Sequence, residues 1–316
     1  PLHRLCAHSA DTARLPDMIA ALVKSSAKAA QTVDAQRCTP LHYLVIRPDV
    51  TPQMIDALVV HNPDATTIQD TIGRTALHKL TASKHLTVPL LRSLLPPQGM
   101  PSNNRDEISA KLACAQDVEG RTALHMVCRR RHDFDVDDNG QLTLDLAEAV
   151  RAIAEHCDEE AVTAQERVRL GESQDREWDR TALHDACHRH DVTERLVKAL
   201  LTKCPAVGTC YDIHGRTALH VLLQRVDIRG HKLVSLVKTY TSICVYAPIV
   251  HISSDEAEKL RQERLMAGVS PDLDWVAPKG LNGFEVAELK ARRTSGWTPM
   301  HELALRLDLS VEMIEA

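Results

Sequence analysis

Gly73-Arg74-Thr75-Ala76-Leu77-His78 decides the fold, because its last four residues keep returning along the chain. The copies are Thr39-Pro-Leu-His42, Thr122-Ala-Leu-His125, Thr181-Ala-Leu-His184, Thr217-Ala-Leu-His220 and Thr298-Pro-Met-His301, and Pro1-Leu2-His3 reads as a further copy cut after its Thr. From His3 onward the His-to-His intervals are 39, 36, 47, 59, 36 and 81 residues, a base unit of about 36 with insertions in three units. Gly precedes the Thr by two positions at Gly73, Gly120, Gly215 and Gly296, and Asp70, Asp117 and Asp212 stand three residues before the first three of these.

Each residue of the signature has a physical use. Thr caps a helix start with its side-chain oxygen, and Pro at the next position has no N–H to waste. Gly after Asp supplies the positive φ of a tight turn. Arg37 and Asp179 replace that Gly in two units, and Arg293 replaces the Asp before Gly296. Asp tolerates a left-handed backbone better than Arg, so the turn of the second unit is expected to differ in shape. The signature resembles the ankyrin repeat, whose units of about 33 residues start on Thr-Pro-Leu-His. The resemblance spans the chain apart from the insertions and implies an all-α solenoid of stacked helix-turn-helix units with short β-hairpin turns. It also implies that the repeat His hydrogen-bonds between turns.

A second helix per unit is legible. Met54, Ile55, Leu58 and Val59 form one stripe, repeated at Leu90, Leu91, Leu94, Leu95 and at Leu196, Val197, Leu200, Leu201. Pro63 and Pro205 follow two of these helices at one offset. No unit buries its stripe alone, so 1–316 reads as one array with a shared core. The expected units are 1–34, 35–70, 71–117, 118–176, 177–212, 213–293 and a truncated 294–316. The sixth carries a long insertion over 246–292, in which Ser253-Ser-Asp-Glu256 reads as a capping box opening a solvated helix to about Ala267. Smaller insertions are expected near Pro96–Leu112, Asp133–Gln141 and Thr163–Asp175.

Composition agrees. Among 316 residues, 38 Lys and Arg against 43 Asp and Glu give 38 − 43 = −5, and two Phe, three Trp and four Tyr leave little for base stacking, so nucleic acid is not the expected partner. No apolar run reaches the ~20 residues of a membrane span. Nine Cys without a Cys-x-x-Cys pair fit reduced thiols inside the cell, in the cytoplasm. The start at Pro1 reads as that of a fragment.

Chemistry is thinly supported. His184, Asp185, His188 and His190 would have to converge for a metal-dependent hydrolase, but one histidine per stacked unit leaves neighbours about 10 Å apart, against bonds of ~2.0–2.1 Å from zinc to nitrogen. Asp135-Val-Asp137-Asp-Asn139-Gly140 matches the start of a calcium loop, yet Leu146 stands where that loop needs Glu, so a polar insertion is the better reading. Cys6, Cys128 and Cys187, three residues after the repeat His, read as buried small side chains. No catalytic residue, cofactor or metal is expected.

Aligned units instead carry arginine. Five residues after the His stand Arg47, Arg130, Arg189, Arg225 and Arg306, with His8 and Ser83 in the other two units. Directly before the Thr stand Arg74, Arg121, Arg180 and Arg216, with Cys38 and Trp297 elsewhere. In the family these positions line the concave, partner-binding face. The resemblance and the two Arg rows together imply a non-catalytic, monomeric scaffold or adaptor that binds an acidic protein partner, with Trp297 as an anchor. Its rival is a regulatory segment of a larger enzyme or channel.

Overall fold

The computed structural model describes residues 1–8, 13–96, 102–130, 144–155, 173–203 and 205–244. In chain order the α-helices are α1 (Leu2–His8), α2 (Leu15–Ser25), α3 (Pro40–Leu44), α4 (Pro52–Val59), α5 (Ala76–Ala82), α6 (Val88–Leu94) and α7 (Ser102–Cys114). They continue as α8 (Ala123–Cys128), α9 (Leu146–Glu155), α10 (Ala182–His188), α11 (Glu194–Lys203), α12 (Ala218–Gln224) and α13 (Gly230–Cys244). The short helix that starts each unit packs on its counterpart in the next, in the order α1, α3, α5, α8, α10, α12. The second helices form a parallel row of α2, α4, α6, α9, α11 and α13. Pro63 and Pro205 each open a 3-10 turn after the outer helix, where a residue without an N–H costs nothing.

The outer stripe read from sequence is the core. Met54, Ile55 and Leu58 on α4, and Leu91 and Leu94 on α6, are fully buried. They belong to one apolar cluster running from Leu2 to Tyr240, each large side chain contributing about 1.5–3 kcal/mol. The insertion after Pro96 is a helix, α7, which buries Ile108, Leu112 and Ala113. The segments predicted as a calcium-like loop, as the 246–292 insertion and as the last unit lie outside the described residues.

Between units the chain projects as a finger that starts on Asp. Asp70 Oδ1 accepts from the amides of Ile72 (3.0 Å) and Arg74 (2.9 Å), and Asp117 and Asp212 repeat this on their own fingers. Asp34 does the same for Gln36 and Cys38, so the second unit has its aspartate despite lacking the glycine. Arg37 sits at φ 58° in the place that Gly73 takes at 76° and Gly120 at 78°. Its amide closes the same turn on the carbonyl of Asp34, at 3.0 Å, as Gly73 does on Asp70. The expected change of shape in the second unit is therefore absent, because the Asp34 bonds and the closing backbone bond hold Arg37 in the left-handed region.

The fifth finger is the one that differs. Asp175 and Arg180 are five residues apart, whereas Asp70 and Arg74 are four apart. The amide of Asp179 bonds the carbonyl of Asp175, one residue wider than in the other turns. Neighbouring fingers are joined by one backbone bond each: Thr71 to Gln36, Val118 to Ile72, Arg176 to Glu119 and Ile213 to Trp178. Within each finger the amide of the Asp bonds back to the carbonyl before the Thr, as Asp70 does to Arg74 and Asp117 to Arg121, both at 2.9 Å. The fingers are thus short hairpin turns, and among the described residues none extends into a strand.

Candidate recognition surface

The repeat Thr and His are spent on the fold. Thr39 donates its amide to Nδ1 of His42 (3.0 Å), and the ring's Nε2 donates to the carbonyl of Arg74 in the next unit (2.9 Å). His78 to Arg121, His125 to Arg180 and His184 to Arg216 repeat the second bond at 3.0, 2.9 and 2.9 Å. His3 makes the same kind of bond, to the carbonyl of Cys38 at 2.9 Å. An amide can only donate and a carbonyl can only accept, so the ring must be neutral with its proton on Nε2. Burial lowers the pKa of the His42, His78 and His184 rings below the ordinary 6.5, and that of His125 to about 4.

The arginines five residues after the His are largely spent as well. Arg189 is 7% exposed, and it grips Asp191 through Nε (2.7 Å) and Nη2 (2.6 Å). Its Nη1 donates to the carbonyls of Cys128 and Arg130, at the end of α8 in the preceding unit. Arg47 makes the corresponding bonds to Asp49 and Cys6, Arg225 to Asp227, Cys187 and Arg189, and Arg130 to the carbonyls of Thr81 and Ser83. A helix end leaves its last carbonyls without intrahelical donors and carries partial negative charge. This row therefore caps α1, α5, α8 and α10, each from the unit that follows. The cysteines sit at that helix end with buried thiols, and burial pushes those of Cys6 and Cys187 up to about 12.

The second Arg row stands on the fingers. There the free oxygen of each finger aspartate, buried except at the half-buried Asp34, takes a donor that differs between units. Tyr43 serves Asp34 (2.5 Å), Lys79 serves Asp70 (3.2 Å), Arg121 serves Asp117 (2.7 Å) and Arg216 serves Asp212 (2.8 Å). In the fifth finger the donor is Arg129, arriving from the unit before, where it also binds Asp185 at 2.7 Å. Burial opposes ionisation of Asp117 and Asp212, but the arginine beside each holds its carboxyl below the usual range. Asp185 goes the other way, to about 6, because burial outweighs Arg129.

Arg180 is left over. Its guanidinium lies over the Trp178 ring, 5.0 Å from the centroid, and its Nε is buried without a hydrogen-bond partner. The Trp178 and His214 rings stand 5.8 Å apart across neighbouring fingers. At the finger tips Ile72 and Val118 are 41% and 54% exposed, and Tyr211, just before the Asp212 finger, is 59% exposed. Sequence reading passed over Trp178, although the extra residue between Asp175 and Arg180 marks it. Trp297, Thr298, His301 and Arg306 lie outside the described residues, and no group of three His, Cys, Asp or Glu side chains among the described residues can hold a metal ion. His184, Asp185, His188 and His190 do not converge, since His184 is bonded through both nitrogens and Asp185 faces Arg129.

No family model and no curated protein matches the chain. Among solved structures it is similar to the ankyrin repeat domain of Bcl-3, described as a unique member of the IkappaB protein family. That likeness has 22% identity over 76% of this chain and 85% of the other, with a TM-score of 0.47. It is also similar to the ankyrin repeat protein EF0377, at 18% identity over 72% of this chain and 90% of that one, with a TM-score of 0.46. The firmer ground is the chain's own geometry, in which five repeat histidines each bond the carbonyl before the next unit's Thr-x-x-His signature or, for His3, that of Cys38 before Thr39. On that geometry the described residues carry the ankyrin-repeat fold.

Proposed function

We propose that the chain is a non-catalytic adaptor or scaffold that recognises a protein partner along its fingers and the adjoining inner helices. The observation that carries this is a contrast along the Asp70, Asp117 and Asp212 fingers. Each Asp and the following Thr and His are buried inside the array, while Ile72, Val118 and Tyr211 keep exposed apolar side chains along the row of Arg74, Arg121, Arg180 and Arg216. Apolar side chains set among cations suit a protein surface better than a small molecule, and the cations favour an acidic one. Trp297 and Arg306 belong to the same proposal by their repeat positions. Arg47, Arg130, Arg189 and Arg225 contribute by holding the inner helices in place. The described cysteines are free thiols, which supports work in a reducing, intracellular compartment.

The test is capture of a partner by the immobilised chain and by two variants. Ile72→Ser with Val118→Ser and Tyr211→Ser is expected to abolish capture without lowering the thermal midpoint. Met18→Ser, which removes an exposed outer-helix side chain, is expected to leave it intact. Capture that survives the finger changes and is lost with Met18 would move the interface to the other side of the array.

A further inference from the structure

On the longer fifth finger Arg180 does not grip its own finger aspartate as Arg121 and Arg216 do, and Trp178 lies beneath its guanidinium. We propose that Arg180, set over the Trp178 ring, anchors a carboxylate side chain of an acidic protein segment lying across the fifth and sixth fingers. The proposal rests on the protein-recognition reading above and narrows it to one contact.

The buried acids Asp175, Asp185 and Asp212 are already committed. Asp175 receives the amides of Trp178 and Arg180 on one oxygen and Arg129 on the other. Asp185 also receives Arg129, and Asp212 receives Arg216. Arg216 is further held by Gln224 Oε1 at 3.0 Å. Among the described residues Arg180 therefore has an aromatic support and no acceptor, and a buried donor without a partner is costly to leave so. The ring contact leaves the guanidinium fork for a two-pronged acceptor, the geometry that a carboxylate matches. Trp178 and His214 give that acceptor's aliphatic stem an aromatic surface. Asp175, Asp185 and Asp212 close by admit a single negative charge but penalise a doubly charged phosphate. A glutamate or aspartate side chain is thus the better fit.

The experiment selects binders to the intact chain from a randomised peptide library and measures their affinities by fluorescence polarisation. Enriched peptides are expected to share one acidic position. Arg180→Gln is expected to weaken them about tenfold, as loss of a charge-assisted bidentate pair does, while leaving the thermal midpoint unchanged. Replacing the shared Glu by Gln should cost the same on the parent and nothing further on Arg180→Gln. Trp178→Ala should weaken binding, and a phosphoserine at the shared position should bind no better than Glu. Peptides without a shared acid, or equal binding by Arg180→Gln, would overturn the anchor and leave recognition by other fingers standing. A phosphoserine peptide that binds tighter would overturn the choice of carboxylate. No enriched peptide at all would overturn both the anchor and the broader reading.

Discussion

Arg225 reaches back one unit and donates from Nη1 to the carbonyl of Cys187, 3.0 Å away. That carbonyl belongs to the last turn of α10, so the cap of one helix is stored in the sequence of the next unit. Arg189 does this for α8 with both its guanidinium and Asp191 largely buried. Arg189→Gln should cost about 2–3 kcal/mol, since it strands a carboxylate and removes donors from two carbonyls. Arg189→Lys should recover little of it, because a point charge cannot replace a planar fork. Urea titration of the full chain measures both, and a loss under about 0.5 kcal/mol would reduce the ladder to an ordinary surface ion pair.

The ladder has a gap at Ser83, where the third unit offers no arginine to the end of α3, and His85 stands where Asp49 and Asp191 stand in other units. Ser83→Arg combined with His85→Asp should complete it and raise stability by about 0.5–1.5 kcal/mol. Either change alone should do less. An additive pair of small effects would mean that the two residues do not form the intended bidentate pair.

Arg37 and Gly73 occupy one turn position with opposite consequences. Arg37→Gly relieves a left-handed non-glycine residue and should stabilise by about 0.5–1 kcal/mol. At position 73 an added Cβ would come 3.0 Å from the Cα of Asp117 and 3.1 Å from the carbonyl oxygen of Gln116. Gly73→Ala should therefore cost about 2 kcal/mol, combining the backbone penalty with a clash against the next finger. Differential scanning calorimetry on the two variants should move the midpoint in opposite directions.

Acid should loosen the array from a higher pH than carboxylates alone would set. His42, His78, His125 and His184 are buried neutral, so their folded pKa values lie below those of the unfolded chain. Their stabilisation is complete above about pH 6.5 and falls as the pH drops from there, to about 4 for His125. Inside that window each costs up to about 1.4 kcal/mol per pH unit. Asp185 works against them, since its raised pKa favours the fold as the pH falls through about 6, but it is one group against these four and against His188 and His214, which burial also lowers. Urea midpoints measured between pH 7.5 and 4.5 should decline across the window, and His125→Gln should flatten the slope. A flat profile would mean that the rings take up protons in place.

The helices and their order were legible because the signature joins a cap, a helix start and a spacing in four residues, and Leu and Met keep one stripe throughout. The partners of the side chains were not. Arg129 and Arg130 are adjacent in sequence, yet Arg130 runs back to Thr81 while Arg129 runs forward to Asp175. Nothing in their order specifies that division, which depends on where the neighbouring unit puts its oxygens. Arg47, Arg189 and Arg225 each carry an Asp two residues later, and this regularity could have marked them as internal. Arg180 was singled out for its place in a row. What distinguishes it is the spacing of one finger, a count of five against four.

The polar couplings between units end mainly on main-chain oxygens: His42 on Arg74, His125 on Arg180, Arg225 on Cys187. A carbonyl is present whatever residue bears it, so a unit places few demands on the side chains of its neighbour. Tandem gene duplication can then lengthen such an array, and recombination can shuffle its members, without matched changes at each new junction. The residues that face outward on the fingers are left to diverge, one unit at a time.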